Sequence, residues 1–292
     1  MLSHAVGCLA NSEVRSWTLT DGRKLSAELV SYNEQAGVVT LRINERDPVV
    51  FLFTMLSPSD QAWVVEWVDL GERLDAVLAR VGGEFLHFVS QGAYPTGYHV
   101  YLPPGVMEGP PPPMLLFFDP AGNGERYVKR YIEAAAEAKF VVVGLDEFRN
   151  TPPPDGDELD ARFRERFLEL LPQIKATVRH DPARVFLGGT SGGAMRAFGY
   201  AATIEGPWAG VFSNVGWLGP KEEAYALRFP AGMRVAFVDG NNDRGGSYKK
   251  RDTEILVSYG STVGFFSFEG GHQLPPPASQ LKAMRWLLGQ ER

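Results

Sequence analysis

The sequence predicts a doubly wound α/β domain with a mostly parallel sheet, preceded by a small β-barrel. Three observations carry this reading. Downstream of residue 114, apolar runs of strand length alternate with stretches of helix length, the pattern of a parallel sheet covered by helices on both faces. Upstream of residue 69, four or five short β-rich runs follow one another with turn residues between them, which suggests a small barrel. At residues 185–206 an apolar run, a serine between glycines and a helical stretch follow in direct succession.

A chain of 292 residues is long enough for one large core and a small accessory domain. With 44% hydrophobic and 22% charged residues it reads as an ordinary soluble globular protein, and a net charge of −6 argues against non-specific binding to nucleic acid or acidic membranes. No apolar run approaches the ~20 residues of a membrane helix. The one cysteine, Cys8, excludes an internal disulfide and leaves the compartment open. Residues 1–12 read as a tail. They are too short and uncharged for a full signal peptide, and Ala5-Val6-Gly7-Cys8 lacks the hydrophobic stretch that should precede a lipoprotein cleavage box. A trimmed export signal or a plain disordered tail is the expectation there.

The small domain is expected over 13–70. Strands are read at 15–20, 24–32, 38–43 and 49–53, separated by the turns Asp21-Gly22 and Ala36-Gly37, and Ser57-Pro58-Ser59-Asp60 starts a short helix over 61–68. A linking helix follows at 71–79, and the second domain runs over 81–292. It opens with an antiparallel pair at 84–91 and 98–102, with Met114–Phe118 as the first central strand. The prolines of 103–113 form a stiff edge loop between neighbouring strands rather than a linker, because strand 98–102 needs a sheet to join. Then follow helix 127–138, strand 140–144, a helical stretch at 157–178, strand 185–187, helix 194–202, strands 210–213 and 234–239, helix 248–259, strand 263–268 and helix 278–288.

Gly189-Thr190-Ser191-Gly192-Gly193 stands at the turn between strand 185–187 and helix 194–202. A nucleophile on so sharp a turn needs neighbours without side chains two residues before and after it, which gives the G-x-S-x-G spacing its cause. The helix N-terminus beside it offers N–H groups where negative charge develops. A serine hydroxyl needs a base to take its proton. This strand–serine–helix turn resembles the nucleophile elbow of the α/β-hydrolases, and that resemblance implies that acid and base follow the nucleophile along the chain. His4, His87, His99 and His180 precede Ser191, so His272, past strand 263–268, is the expected base. The acid belongs past strand 234–239, where Asp239 and Asp243 are both candidates and Asp243 has the reach to lie under the histidine loop. Asp252 falls inside the next helix and reads as a surface charge. Gly192 supplies one oxyanion N–H, and the second should come from the loop Asp119-Pro120-Ala121-Gly122-Asn123-Gly124, with Asn123 as donor and Gly122 as fallback, since Pro120 has no N–H. Phe148, Arg149, Asn150, Trp217 and Arg244 lie past carboxyl ends of strands, where open α/β sheets bind ligands, and are candidate substrate contacts. No paired carboxylates, Cys/His metal spacing or phosphate-cradling loop competes, so neither metal nor cofactor is expected.

Together these residues resemble the α/β-hydrolase superfamily over about 81–292. Asp181-Pro182-Ala183-Arg184-Val185-Phe186-Leu187-Gly188, leading into the serine, is similar to the feruloyl-esterase and polyhydroxybutyrate-depolymerase-like branch. The resemblance implies a Ser-His-Asp triad of Ser191, His272 and Asp243 (the last matching a Gly-x-x-Asp form from Gly240), with a His-Gly-x-Gly oxyanion loop in which Ala121 replaces the histidine. It implies cofactor-free cleavage of small acyl or aryl esters, and the chain departs from many secreted members in lacking a disulfide. Over 13–68, Arg15-x-Trp17-Thr18, Gly22, Ala27-Glu28-Leu29-Val30, Val39-Thr40-Leu41 and Leu56-Ser57-x-x-Asp60-Gln61 resemble the SH3-like homology domain first described in Sla endocytic adaptors. That likeness implies a peptide or protein partner; a packing module fits equally. Two other functions stay open: a peptidase with the same triad, ranked lower without a lid or propeller to select peptides, and a silent hydrolase scaffold that binds through the small barrel.

Overall fold

The structure, a computed structural model, describes residues 15–34, 36–43, 48–150, 156–243 and 247–290. The tail at 1–12, Cys8 and Arg244 lie outside them. The chain divides into two compact units, Met1–Ala76 and Val77–Arg292.

In the first unit β1 (Arg15–Thr18), β2 (Lys24–Asn33), β3 (Val38–Arg42) and β4 (Val49–Leu52) form one antiparallel sheet in chain order. Two-residue alternation sends Trp17 and Leu19, Ala27 and Leu29, and Val39 and Leu41 to one face, where they close a core with Leu56 and Val64. The Trp17 indole donates to the Ala27 carbonyl at 2.8 Å and meets Trp63 edge-on. This four-stranded sheet is what stands where the sequence suggested a barrel. The two expected helices at 61–68 and 71–79 are one continuous helix, α1 (Pro58–Val81). A lone Gly71 costs a helix only about 1 kcal/mol, too little to break it, and no proline follows until Pro95. The break comes at Gly82 and Gly83, both with positive φ, 71° and 94°.

The second unit is built on an eight-stranded sheet of β5 (Glu84–Val89), β6 (Gly97–Leu102), β7 (Met114–Phe118), β8 (Val141–Leu145), β9 (Val185–Thr190), β10 (Trp208–Asn214), β11 (Arg234–Gly240) and β12 (Thr262–Phe268). Their order is β12-β11-β10-β9-β7-β8-β6-β5. Only the β5–β6 and β6–β8 pairs are antiparallel. β7, β8 and β9 are buried along their whole length, as central parallel strands covered on both faces must be.

Helices α3 (Gly156–Thr177), α4 (Gly192–Thr203) and α6 (Lys249–Ser258) contribute Phe167, Ile174, Phe198 and Leu256 to a core with Leu116, Phe118, Val143 and Leu187. The alternate strand residues face α2 (Gly124–Ala138) and α7 (Pro277–Leu287), where Phe117 packs on Tyr127, Tyr131 and Phe212. The short α5 (Lys221–Ala226) has no counterpart in the sequence reading.

The proline loop corrects an expectation. β6 and β7 are not neighbours, because β8 lies between them, so 103–113 crosses from the strand next to the edge to the centre of the sheet. Prolines have no N–H and the loop is held through its carbonyls. Pro112 O accepts from Asp181 N at 2.7 Å, Pro113 O from Val141 N at 2.9 Å and Pro111 O from Arg184 at 2.9 Å.

Candidate active site

β9 delivers Ser191 into a conformation that L-residues rarely adopt, φ 52° and ψ −118°, immediately before the first turn of α4. Its N–H donates to the Asn214 carbonyl at 3.0 Å, which locks the turn to the end of β10. The flanking glycines are a steric necessity. A Cβ on Gly189 would stand 2.2 Å from the carbonyl carbon of Gly193, and one on Gly193 would stand 2.2 Å from the Phe118 oxygen. Val215, fully buried at φ 41°, is a second unusual backbone beside the turn, held by its N–H on Val238 O at 3.0 Å.

Two loops carry the expected acid and base. Asp243 follows β11 and His272 follows β12, and since β9 to β12 are parallel, both emerge at the same sheet edge as Ser191. The two strands stay laced beyond their ends, Asn241 N donating to Phe268 O and Asn242 N to Gly270 O, each at 2.9 Å. Gly240 makes the approach feasible, because a Cβ there would fall 2.3 Å from Gly271 O and 2.5 Å from Gly270 O. The result places His272 Nδ1 3.2 Å from both carboxylate oxygens of Asp243. The Asp243 side chain is 3% exposed while the imidazole is 47% exposed. Nε2 is therefore the nitrogen left for other work. Among the described residues no hydrogen bond joins Ser191 to His272. Catalytic hydrogen bonds are often long before substrate arrives.

The other carboxylate, Asp239, is paired differently. It lies 3.0 Å from Lys249 Nζ, and burial holds its pKa above the ordinary carboxylate value although Lys249 pulls it down.

The loop 119–124 departs from the expectation for Asn123. The Asn123 N–H donates to Asp119 Oδ2 at 2.7 Å, and its side chain caps α2 by accepting from Arg126 N at 2.9 Å. The Gly122 N–H bonds Asp119 O at 3.1 Å, and the Gly124 N–H bonds Asp146 Oδ1 at 2.8 Å. The Asp119 carboxylate also takes the Ala121 N–H and the Tyr127 hydroxyl. Neither Asn123 nor its fallback Gly122 thus points an N–H into the site; the tight turn closes on its own aspartate. Burial raises the Asp119 pKa against these donors, and burial with the Asp119 charge pushes the Tyr127 phenol up to about 12, leaving it a neutral donor.

A different group stands beside the elbow. A Cβ on Gly192 would fall 2.0 Å from Asn150 Oδ1 and 2.8 Å from Nδ2, so the Asn150 carboxamide lies directly against Gly192. Its backbone N–H donates to Pro120 O at 2.8 Å, and its side chain is exposed.

The remaining candidates separate. Phe148 is fully buried against Phe118, Phe163 and Phe167, which makes it core rather than a substrate contact. Arg149 is exposed and its carbonyl is held by Arg196 at 2.8 Å. Trp217 is half-buried and stacks on Tyr248 at 5.9 Å and 19°, an aromatic pair of which the sequence marked only the first member. Asp252 is not a surface charge. It is fully buried, accepts from Leu218 N at 2.9 Å and pairs with Arg251, which also binds Gly219 O, so it fixes the segment that carries Trp217. Helix periodicity placed Asp252 correctly along the chain but gave no sign of the buried N–H it would meet. The structure also gathers His87, His99 and Asp146, which no local spacing announces.

The sequence matches no family model and no curated protein. Solved structures do share the fold. The esterase LipW from Mycobacterium marinum aligns with a TM-score of 0.59 at 16% identity, over 76% of this chain and 86% of its own. An S-formylglutathione hydrolase from Agrobacterium tumefaciens gives 0.55 at 16% identity, over 72% and 96%. A ferulic acid esterase gives 0.51 at 12% identity, over 72% and 99%. The architecture common to these proteins is that of the α/β-hydrolases, and the larger unit of this chain has that fold.

Proposed function

We propose that this chain is a serine esterase that cleaves small acyl or aryl esters. The observation that carries the reading is the Asp243–His272 pair, brought by the Gly240–Gly271 contact to the sheet edge where Ser191 is held at positive φ. Ser191 Oγ attacks the ester carbonyl while its proton passes to His272 Nε2. Asp243 keeps the Nδ1 proton and the ring orientation. The imidazolium then protonates the departing alkoxide, and water, activated by the same nitrogen, hydrolyses the acyl-enzyme. Gly192 N–H and the Asn150 carboxamide hold the oxyanion, the second replacing the Asn123 N–H that Asp119 has taken.

Three fold relatives named for hydrolysing esters or an S-formyl thioester support the class of reaction. We read residues 13–70 as an SH3-like module, 71–80, the last stretch of α1, as the link and 81–292 as the catalytic part. Trp217 and Tyr248 supply an aromatic wall suited to an aryl group.

An aryl-ester assay and a fluorophosphonate probe test the proposal. Wild type should turn over the ester and be labelled at Ser191, and Ser191→Ala should lose at least about 10⁴-fold in kcat and all labelling. Undiminished turnover by the alanine variant overturns it.

A further inference from the structure

We infer that His87, His99 and Asp146 form a binding site for a divalent transition metal of the zinc class at the antiparallel edge of the large sheet. The site does not depend on the esterase reading.

Strand pairing brings the ligands together. His87 on β5 and His99 on β6 are directly opposite one another in the antiparallel ladder, so their side chains leave the same face. Their rings stack with centroids 4.5 Å apart and 20° between planes. On the other side of β6, His99 pairs with Gly144 of β8, and Asp146 continues that strand just beyond its end. The carboxylate therefore arrives over Gly97. A Cβ at Gly97 would lie 2.4 Å from Asp146 Oδ2 and 3.3 Å from His87 Nε2, so the missing side chain is what lets the two groups converge there.

The donor set suits such an ion. One ligand atom from each residue lies within 4.8 Å of the others, and two imidazoles with one carboxylate are a donor set found at three-ligand zinc sites with a fourth position open. Tetrahedral zinc with bonds of about 2.0–2.2 Å needs ligand atoms about 3.4 Å apart, a contraction that side-chain rotation supplies. The carboxylate is already oriented. Oδ1 accepts the Gly124 N–H at 2.8 Å, which turns Oδ2 toward His99 Nε2 at 3.0 Å. An outer-shell bond of this type fixes a ligand before the metal arrives. The His99 side chain is 11% exposed and its Nδ1 has no hydrogen-bond partner, so its polar contacts lie on the Asp146 side. His87 is exposed and gives the ion a way in from solvent.

The consequence is a staple. The ion would tie the edge strand β5 and its neighbour β6 to the end of β8, at the root of the segment that leads to Asn150. Binding should therefore stabilise the fold whatever the protein hydrolyses.

Metal-free wild type titrated with Co²⁺ should give the visible absorption of a four-coordinate site at one ion per chain, displaced by Zn²⁺. At a hundredfold excess over Kd, Zn²⁺ should raise Tm by about 5–10 °C. His87→Ala, at an exposed position, should fold and lose both responses, and Asp146→Asn should weaken binding at least about tenfold. Absence of the Co²⁺ bands together with an unmoved Tm in wild type overturns the site. Undiminished binding by His87→Ala also overturns it, since the ion would then be held elsewhere.

Discussion

Asn150 occupies the place where any side chain at Gly192 would have to go. Two residues far apart in sequence thus share one volume at the elbow, and the small one is obligatory. If the carboxamide donates to the oxyanion, Asn150→Ala should lower kcat for an aryl ester by about 100-fold with KM little changed, the usual cost of one lost donor. Steady-state kinetics decide it, and a kcat within twofold of wild type removes Asn150 from the mechanism. The same scale separates the two aspartates. Asp243 reaches His272 and Asp239 reaches Lys249. Residue type and position past a strand made both legible as candidates, with the reach of Asp243 favouring it; the lysine at the start of α6 that takes Asp239 could not be read from that loop.

At the scale of elements, α2 explains why Asn123 looked like a donor and is not one. A helix N-terminus leaves its first N–H groups unpaired, and the chain before it must satisfy them. Asn123 does so through Oδ1, while Asp146 and Asp119 take the N–H groups of Gly124 and Asn123. The Asn123→Ala variant keeps its backbone N–H but loses the cap. It should destabilise the fold by about 1 kcal/mol and lower Tm by about 2–4 °C, measured by thermal unfolding. A Tm equal to that of wild type contradicts the capping role. The elbow was the most legible element, because strand, Gly189, Ser191, Gly193 and helix are consecutive and their sterics are local. The α1 helix was less so, since a single glycine reads as a break when only neighbours are counted.

Among the described residues of the molecule three buried carboxyls, Asp119, Asp239 and Asp252, have pKa values raised in each case first by burial. Such a group binds its proton more tightly when folded than when unfolded. Its stabilising share is complete below the unfolded value near 3.8 and is lost as pH rises through the folded one. Asp252→Asn removes one share, so the Tm of wild type relative to the variant should fall as pH rises from about 4 to 7; parallel curves over that range contradict it. The sequence by itself determined the alternation of strands and helices, the serine turn and its glycines, and His272 as the one histidine beyond Ser191, because each follows from adjacent residues or from chain order. Tertiary structure decided that β8 lies between β6 and β7, that Phe148 and Asp252 are internal, that Asp119 keeps the Asn123 N–H, and that His87, His99 and Asp146 meet. Those outcomes depend on which distant strands pair and on which polar groups must find partners once water is excluded, and neither is written in local spacing.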